Sequence, residues 1–170
     1  MSDLAYIGLG GNVGDVAATF GRAAAGLAAL PGVAGVRLSS LWETAPVGPV
    51  REQPAFLNAA AELSFSRAPA PVDLLRALLD IERRLGRDRS REVPGGPRAI
   101  DLDFLLWGDR VVDEPELRLP HPRLHARAFA LAPLVELAPH ATIPGAGRAA
   151  ALLVRLGDQR IRKITGSGSA

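Results

Sequence analysis

The run Ala99–Trp107, AIDLDFLLW, constrains this chain more than any other segment. It is apolar enough to be a buried strand, yet it carries Asp101 and Asp103 two positions apart. Side chains alternate across a strand, so both carboxylates fall on one face while Leu102 and Phe104 point to the other. Two carboxylates about 6–7 Å apart on one strand face repel unless a cation sits between them. A hard divalent ion such as Mg²⁺, held by one or two carboxylates with phosphate oxygens completing its shell, satisfies that pattern. A solvated face is the plainer alternative, but the apolar surroundings make an unpaired carboxylate costly there.

The segment just before this strand has the complementary charge. Residues 83–98 hold six arginines against Asp88 and Glu92, a local charge of +4 in a chain whose net charge is +2. The remainder is therefore slightly acidic, which fits a focused anion site and not the broad basic surface of a nucleic-acid coat. Arg87, Arg89, Arg91 and Arg98 can fork onto phosphate oxygens, while Pro94-Gly95-Gly96-Pro97 forbids regular structure. A polyphosphate needs a divalent cation on one side and fixed cations on the other, and residues 87–103 supply both. Together they read as a nucleoside-triphosphate site, where transfer is mostly positioning and charge stabilisation.

The rest of the chain places this site on an α+β scaffold. Alternation predicts strands over 4–10, 34–43, 56–65 and 99–107, with helices from Asn12 or Asp15 to Leu30 and from Pro71 to Leu85. Gly108-Asp109 reads as a tight hairpin turn with 110–112 as the returning strand. Pro120-His121-Pro122 reads as the start of a helix carrying Phe129, Leu131 and Leu134, and a short helix follows at 148–156. The order β-α-β-β-α-β predicts a ferredoxin-like antiparallel sheet with helices packed on it, an α/β sandwich. One domain over 1–160 and a flexible tail over 161–170 are expected. No cysteine is present, which removes disulfides, thiolate nucleophiles and cysteine-based zinc sites. With no apolar run of spanning length, and no basic region before the apolar stretch within MSDLAYIGLGGN, a cytoplasmic protein without membrane contact is expected.

Other candidates are weighed residue by residue. Gly8-Leu9-Gly10-Gly11-Asn12 fails both phosphate-loop spacings, and Asn12 serves either as a helix cap or as a donor into a site. His121 and His125 lie four apart but lack a third ligand, so His121 reads better as a phosphate donor, with Arg127 as another fork. Phe56 beside Asn58 offers a ring stack plus an amide; Phe129 and Trp42 read as core. Glu82 faces the arginine loop from the end of its helix.

Three segments in this order, YIGLGGN, FLNAA and GPRAIDLDFLLWG followed by LPHPRLHARAFALAPL, resemble the 6-hydroxymethyl-7,8-dihydropterin pyrophosphokinases over about residues 3–160. The resemblance implies transfer of an intact pyrophosphoryl group from ATP to a pterin hydroxymethyl oxygen in folate biosynthesis, with release of AMP and use of two Mg²⁺ ions. By position it makes Asp101 and Asp103 the Mg²⁺ ligands. Glu82, Arg87, Arg89, Arg98, Ile100, His121 and Arg127 become ATP contacts, and Arg87 and Arg98 join the two aspartates as catalytic residues. The pterin pocket falls on Thr44, Ala45, Val47, Phe56, Asn58, Asp101 and Phe129. The segments TAPVGPVREQPA and RDRSREVPGGPR match the family's two mobile loops. Departures from the family pattern are Gly11 for a common serine, Phe56 for a common tyrosine, and Glu116 where some members carry arginine. Val93-Pro94-Gly95 stand where an Arg-Trp pair is usual, so Arg91 is the candidate substitute for that arginine. Small-molecule substrates, no nucleic-acid partner and a monomer are expected. The rivals are a catalytically dead scaffold and an RNA-binding module in which Phe56 and Phe65 stack bases, although that module leaves Asp101 and Asp103 unexplained.

Overall fold

The computed structural model describes residues 3–46 and 48–164. In chain order they form β1 (Ala5–Gly11), α1 (Val16–Ala28), β2 (Val33–Leu38), β3 (Leu41–Thr44), β4 (Phe56–Phe65), α2 (Pro71–Arg84) and β5 (Asp101–Trp107). Beyond these lie β6 (Val112–Asp113), β7 (Arg118–Leu119), α3 (Ala128–Leu137), β8 (Thr142–Ile143), β9 (Gly147–Arg148), α4 (Ala149–Arg155) and β10 (Ile161–Ile164). The main sheet runs β10-β3-β4-β1-β5, with β2 also on β4, and all its pairings are antiparallel. Taking β2 and β3 as one strand interrupted at Ser39-Ser40 recovers the β-α-β-β-α-β order and the ferredoxin-like sheet.

Alternation divides the sheet into two unequal faces. Ala5, Ile7 and Leu9 of β1, with Ala59, Ala61, Leu63, Leu102 and Phe104, pack under Val16, Phe20 and Leu27 of α1 and Leu74, Leu78 and Ile81 of α2. Asp15 caps α1 by accepting from the Ala18 amide at 3.1 Å, so Asn12 is free for another task. The second face carries Tyr6, Ala60, Leu105 and Leu106 under Leu131, Leu134 and Leu137 of α3. That helix covers only part of the face. The uncovered part holds Gly8, Gly10, Asn58, Asp101 and Asp103 and becomes the floor of a cleft.

Gly11 sits where β1 leaves the sheet against the approach to β5. A Cβ there would lie 2.7 Å from the Ala99 carbonyl oxygen. Gly11→Ser is expected to push residues 98–100 outward at about 1–3 kcal/mol, seen as a Tm fall of roughly 2–4 °C per kcal/mol. An unchanged Tm would mean that this approach yields freely.

Four expectations are corrected. Gly108-Asp109 does not return the chain onto β5; Gly108 donates to the Leu4 carbonyl at 3.1 Å, and β6 pairs with β7. The helix expected from Pro120 begins at Ala128, because two prolines lack amide donors and the His121 amide is spent on the Leu105 carbonyl at 2.8 Å. Residues 161–164 of the expected tail are a strand on β3; residues 165–170 lie outside the described residues. Trp42 lies on β3, half-buried, and donates from Nε1 to Glu136 on α3 at 3.1 Å.

Candidate active site

The cleft, of about 1170 Å³, is floored by β1, β4 and β5 and walled by the loops after β3 and α2, the segment 121–130 and residues 158–161. Asp101 and Asp103 both point into it, as strand alternation requires. Asp101 accepts from Arg87 Nη1 at 2.7 Å and from Arg98 Nη1 at 3.4 Å. Asp103 has no guanidinium within pairing distance among the described residues. Burial, and after it the charge of Asp101, push its carboxyl up to about 7, with Arg127 acting in the opposite direction. Asp103 is thus short of positive charge, which a divalent cation between the two carboxylates would supply. Among the described residues no cluster of three or more His, Asp or Glu is placed to hold a metal. A cation held by Asp101 and Asp103 would take its remaining ligands from water or phosphate oxygens.

Arg87 is the centre of the charged wall. Its side chain is 4% exposed and contacts three carboxylates. Nη1 serves both Glu82, at 2.7 Å, and Asp101, while Nε and Nη2 fork onto Glu92 at 2.7 and 2.9 Å. Burial opposes the charge on Arg87; the hydrogen bond to Glu92 and the field of Asp101 outweigh it and raise its pKa. Glu82, 1% exposed, also accepts from the Leu102 amide at 2.7 Å and from Arg89 Nη2 at 2.8 Å. It lies behind the cleft wall and fixes the wall's arginines to β5. Ile100 is likewise fully buried in the core under α2, so its side chain does not reach the cleft.

On the opposite wall the His121 Nδ1 accepts from the Arg123 amide at 3.1 Å. In its neutral form the imidazole must then carry its proton on Nε2, leaving an N–H donor. Burial, then the guanidiniums of Arg127 and Arg123, hold its pKa below the usual histidine value. Arg127 lies over the Phe129 ring with its guanidinium carbon 5.4 Å from the centroid, and Arg98 lies 6.0 Å from that of Phe56. Asn58 donates to Thr44 Oγ1 at 3.1 Å, fixing which edge of its amide faces the cleft.

Of the residues expected from the sequence, Thr44, Ala45, Phe56, Asn58, Arg87, Arg89, Arg98, Asp101, Asp103, His121, Arg127 and Phe129 line this one cleft. Glu82 and Ile100 stand behind it, and Val47 lies outside the described residues. Arg91 is turned outward, 88% exposed and beside Asp88 at 3.4 Å, and does not line the cleft. Phe65 packs on Trp107 with ring centroids 5.0 Å apart on the face opposite Phe56. The two rings cannot form one stacking platform.

Several contacts at the site have no local signal in the sequence. Asn12 Oδ1 accepts from the Arg98 amide at 3.0 Å, and its Nδ2 donates to Gln53 and to the Pro54 carbonyl. Gln53 in turn donates to the Gly95 carbonyl at 2.7 Å, so the two loops that wall the cleft are bonded to each other. Asp158, Gln159 and Arg160 join the wall because β10 pairs with β3. Glu92 and Gln53 carry unremarkable neighbours in the sequence, and only the fold reveals their partners.

The family model described as 7,8-dihydro-6-hydroxymethylpterin-pyrophosphokinase matches residues 6–139. A 2-amino-4-hydroxy-6-hydroxymethyldihydropteridine pyrophosphokinase of Bacillus subtilis is 42% identical over 137 residues, covering 81% of this chain and 79% of its own length. Its namesake from Pseudomonas aeruginosa is 37% identical over 162 residues, covering 95% and 97%. The solved Plasmodium falciparum HPPK-DHPS with pteroate has a TM-score of 0.67 at 14% identity, a likeness of fold alone. That match covers 90% of this chain and 42% of the Plasmodium chain, so this chain spans less than half the length of that protein.

Proposed function

The chain belongs to the 7,8-dihydro-6-hydroxymethylpterin-pyrophosphokinase family, and from that membership we propose that it transfers a pyrophosphoryl group from ATP to the hydroxymethyl oxygen of 6-hydroxymethyl-7,8-dihydropterin. The pterin oxygen attacks the β-phosphorus, the bond from that phosphorus to the bridging α,β oxygen breaks, AMP leaves with that oxygen, and the hydroxyl proton is released. The observation that carries this reading is the pair Asp101 and Asp103 on an open sheet face beneath a rim of arginines. In this reading the two aspartates bind two Mg²⁺ ions, which supply charge neutralisation along the polyphosphate. Arg87, Arg89, Arg98, Arg127 and the Nε2–H of His121 hold phosphate oxygens, where preorganised donors stabilise the charge that moves during transfer. Glu82 orients Arg87 and Arg89 from behind, and Ile100 shapes the wall through the core. Phe56 and Phe129 sandwich a flat ring, while Asn58, held by Thr44, reads its edge beside Ala45.

We propose a monomer; no helix of the described residues is long and apolar enough to cross a membrane. We place the enzyme in the cytoplasm with folate biosynthesis.

The test is nucleotide turnover with Mg²⁺·ATP, with and without the reduced pterin. Pterin-dependent AMP is expected, and ADP as the product would mean that a different phosphorus is attacked. Phe129→Ala should raise the pterin KM by roughly 10-fold or more, the loss of one stacked aromatic ring. An unaltered KM would remove Phe129 from the pterin pocket.

A further inference from the structure

Arg87 is over-supplied with carboxylates. Four of its five N–H groups are engaged: two on Nη1 by Glu82 and Asp101, and the Nε/Nη2 edge by both oxygens of Glu92. That edge is the planar fork that arginine presents to a phosphate, and a carboxylate matches it for the same geometric reason. Glu82 and Asp101 sit at the end of α2 and the start of β5, where the fold holds them. Glu92 differs from both. It follows the single 3-10 turn Arg89–Arg91, within a loop bounded by Gly86 at φ 95° and Gly95 at φ 72°, conformations that suit glycine. Its side chain is 19% exposed, against 1% for Glu82. Of the three acids, Glu92 is the one whose departure disturbs no helix or strand.

We propose that Glu92 occupies the phosphate-binding edge of Arg87 in the free enzyme, as an internal competitor that ATP must displace. Resting on the nucleotide reading of the cleft, this inference adds a cost and a coupling to it. A phosphate arriving at Arg87 cannot share the fork with a carboxylate, and like charges drive Glu92 outward. Its release removes one tether of its loop, leaving the Gln53 bond to the Gly95 carbonyl and the Asn12 bond to the Arg98 amide.

The experiment measures binding of Mg²⁺ with a non-hydrolysable α,β-methylene ATP by calorimetry, without pterin, in wild type, Glu92→Gln and Glu92→Asp. If Glu92 competes, Glu92→Gln binds roughly 3–10-fold tighter, the size expected for removing one partly exposed charge-assisted pair. Glu92→Asp, which keeps the charge but shortens the reach, should fall between the two, and inorganic pyrophosphate should show the same order. Equal affinities in all three chains would overturn the proposal, as would weaker binding by Glu92→Gln, which would make Glu92 a support for Arg87. A wild-type chain that binds no nucleotide would instead remove the reading on which the proposal stands. Both variants alter a loop outside the core, and a Tm within about 2 °C of wild type, under about 1 kcal/mol, shows that the fold is intact.

Discussion

Asp103→Asn is expected to lower pyrophosphoryl transfer by about 10³-fold or more, the range lost when a charge-stabilising group is removed from a transfer site, and to make the metal-free protein more stable. The two effects share one cause. The carboxyl is pushed up to about 7 in the folded chain from 3.8, so the folded state holds a proton that the unfolded state has released between those values. Stability from this group is therefore full at low pH and falls as pH rises through that window, with the whole cost present by pH 8. Solvent in the cleft screens the cost to about 1–3 kcal/mol. Asparagine removes the charge and the cost together, so its Tm in EDTA at pH 8 should exceed that of wild type. Mg²⁺ should raise the wild-type Tm strongly at pH 8 and little at pH 5, and should leave the variant unmoved. A variant that keeps a tenth of wild-type turnover would take Asp103 out of the reaction.

Glu82→Ala should weaken the fold and the charged wall together. Its carboxylate accepts from Arg87, Arg89 and the Leu102 amide, and all but Arg89 are buried. Removing it leaves the Leu102 amide and one N–H of Arg87 without an acceptor, while Asp101 and Glu92 still hold the guanidinium, a loss of about 2–4 kcal/mol. Glu82→Gln keeps an acceptor but not the charge and should lose less. Urea unfolding distinguishes these outcomes, and a change below about 1 kcal/mol for Glu82→Ala would mean that water replaces the carboxylate.

Much of this was legible from period alone. A two-residue repeat placed Asp101 and Asp103 together, separated Phe56 from the core face of β4, and set that strand's ends at Phe56 and Phe65. Glu82, read as facing the arginine loop, does so, but its burial could not be inferred from a charged residue at a helix end. The failures share a physical origin in pairings distant along the chain. Ile161–Ile164 has no strict alternation and becomes a strand only because β3 has a free edge. Gly108-Asp109 has hairpin chemistry, yet among the described residues β5 pairs in the main sheet with β1 alone. Asn12 touches residues more than forty and more than eighty positions away, and no local pattern encodes such contacts.

The glycines of β1 bear on how this cleft could be blocked and how it could escape. Gly8 and Gly10 present main chain to the floor, and a Cβ at either would meet Leu105 or Asn58 at 3.3–3.4 Å. An inhibitor resting on these two glycines contacts atoms that every amino acid possesses. Resistance could arise there only by adding bulk, which narrows the space needed by the natural ligand as well. Substitutions that exclude a drug yet admit substrate would have to come from the walls, where side chains and loops vary independently of the sheet.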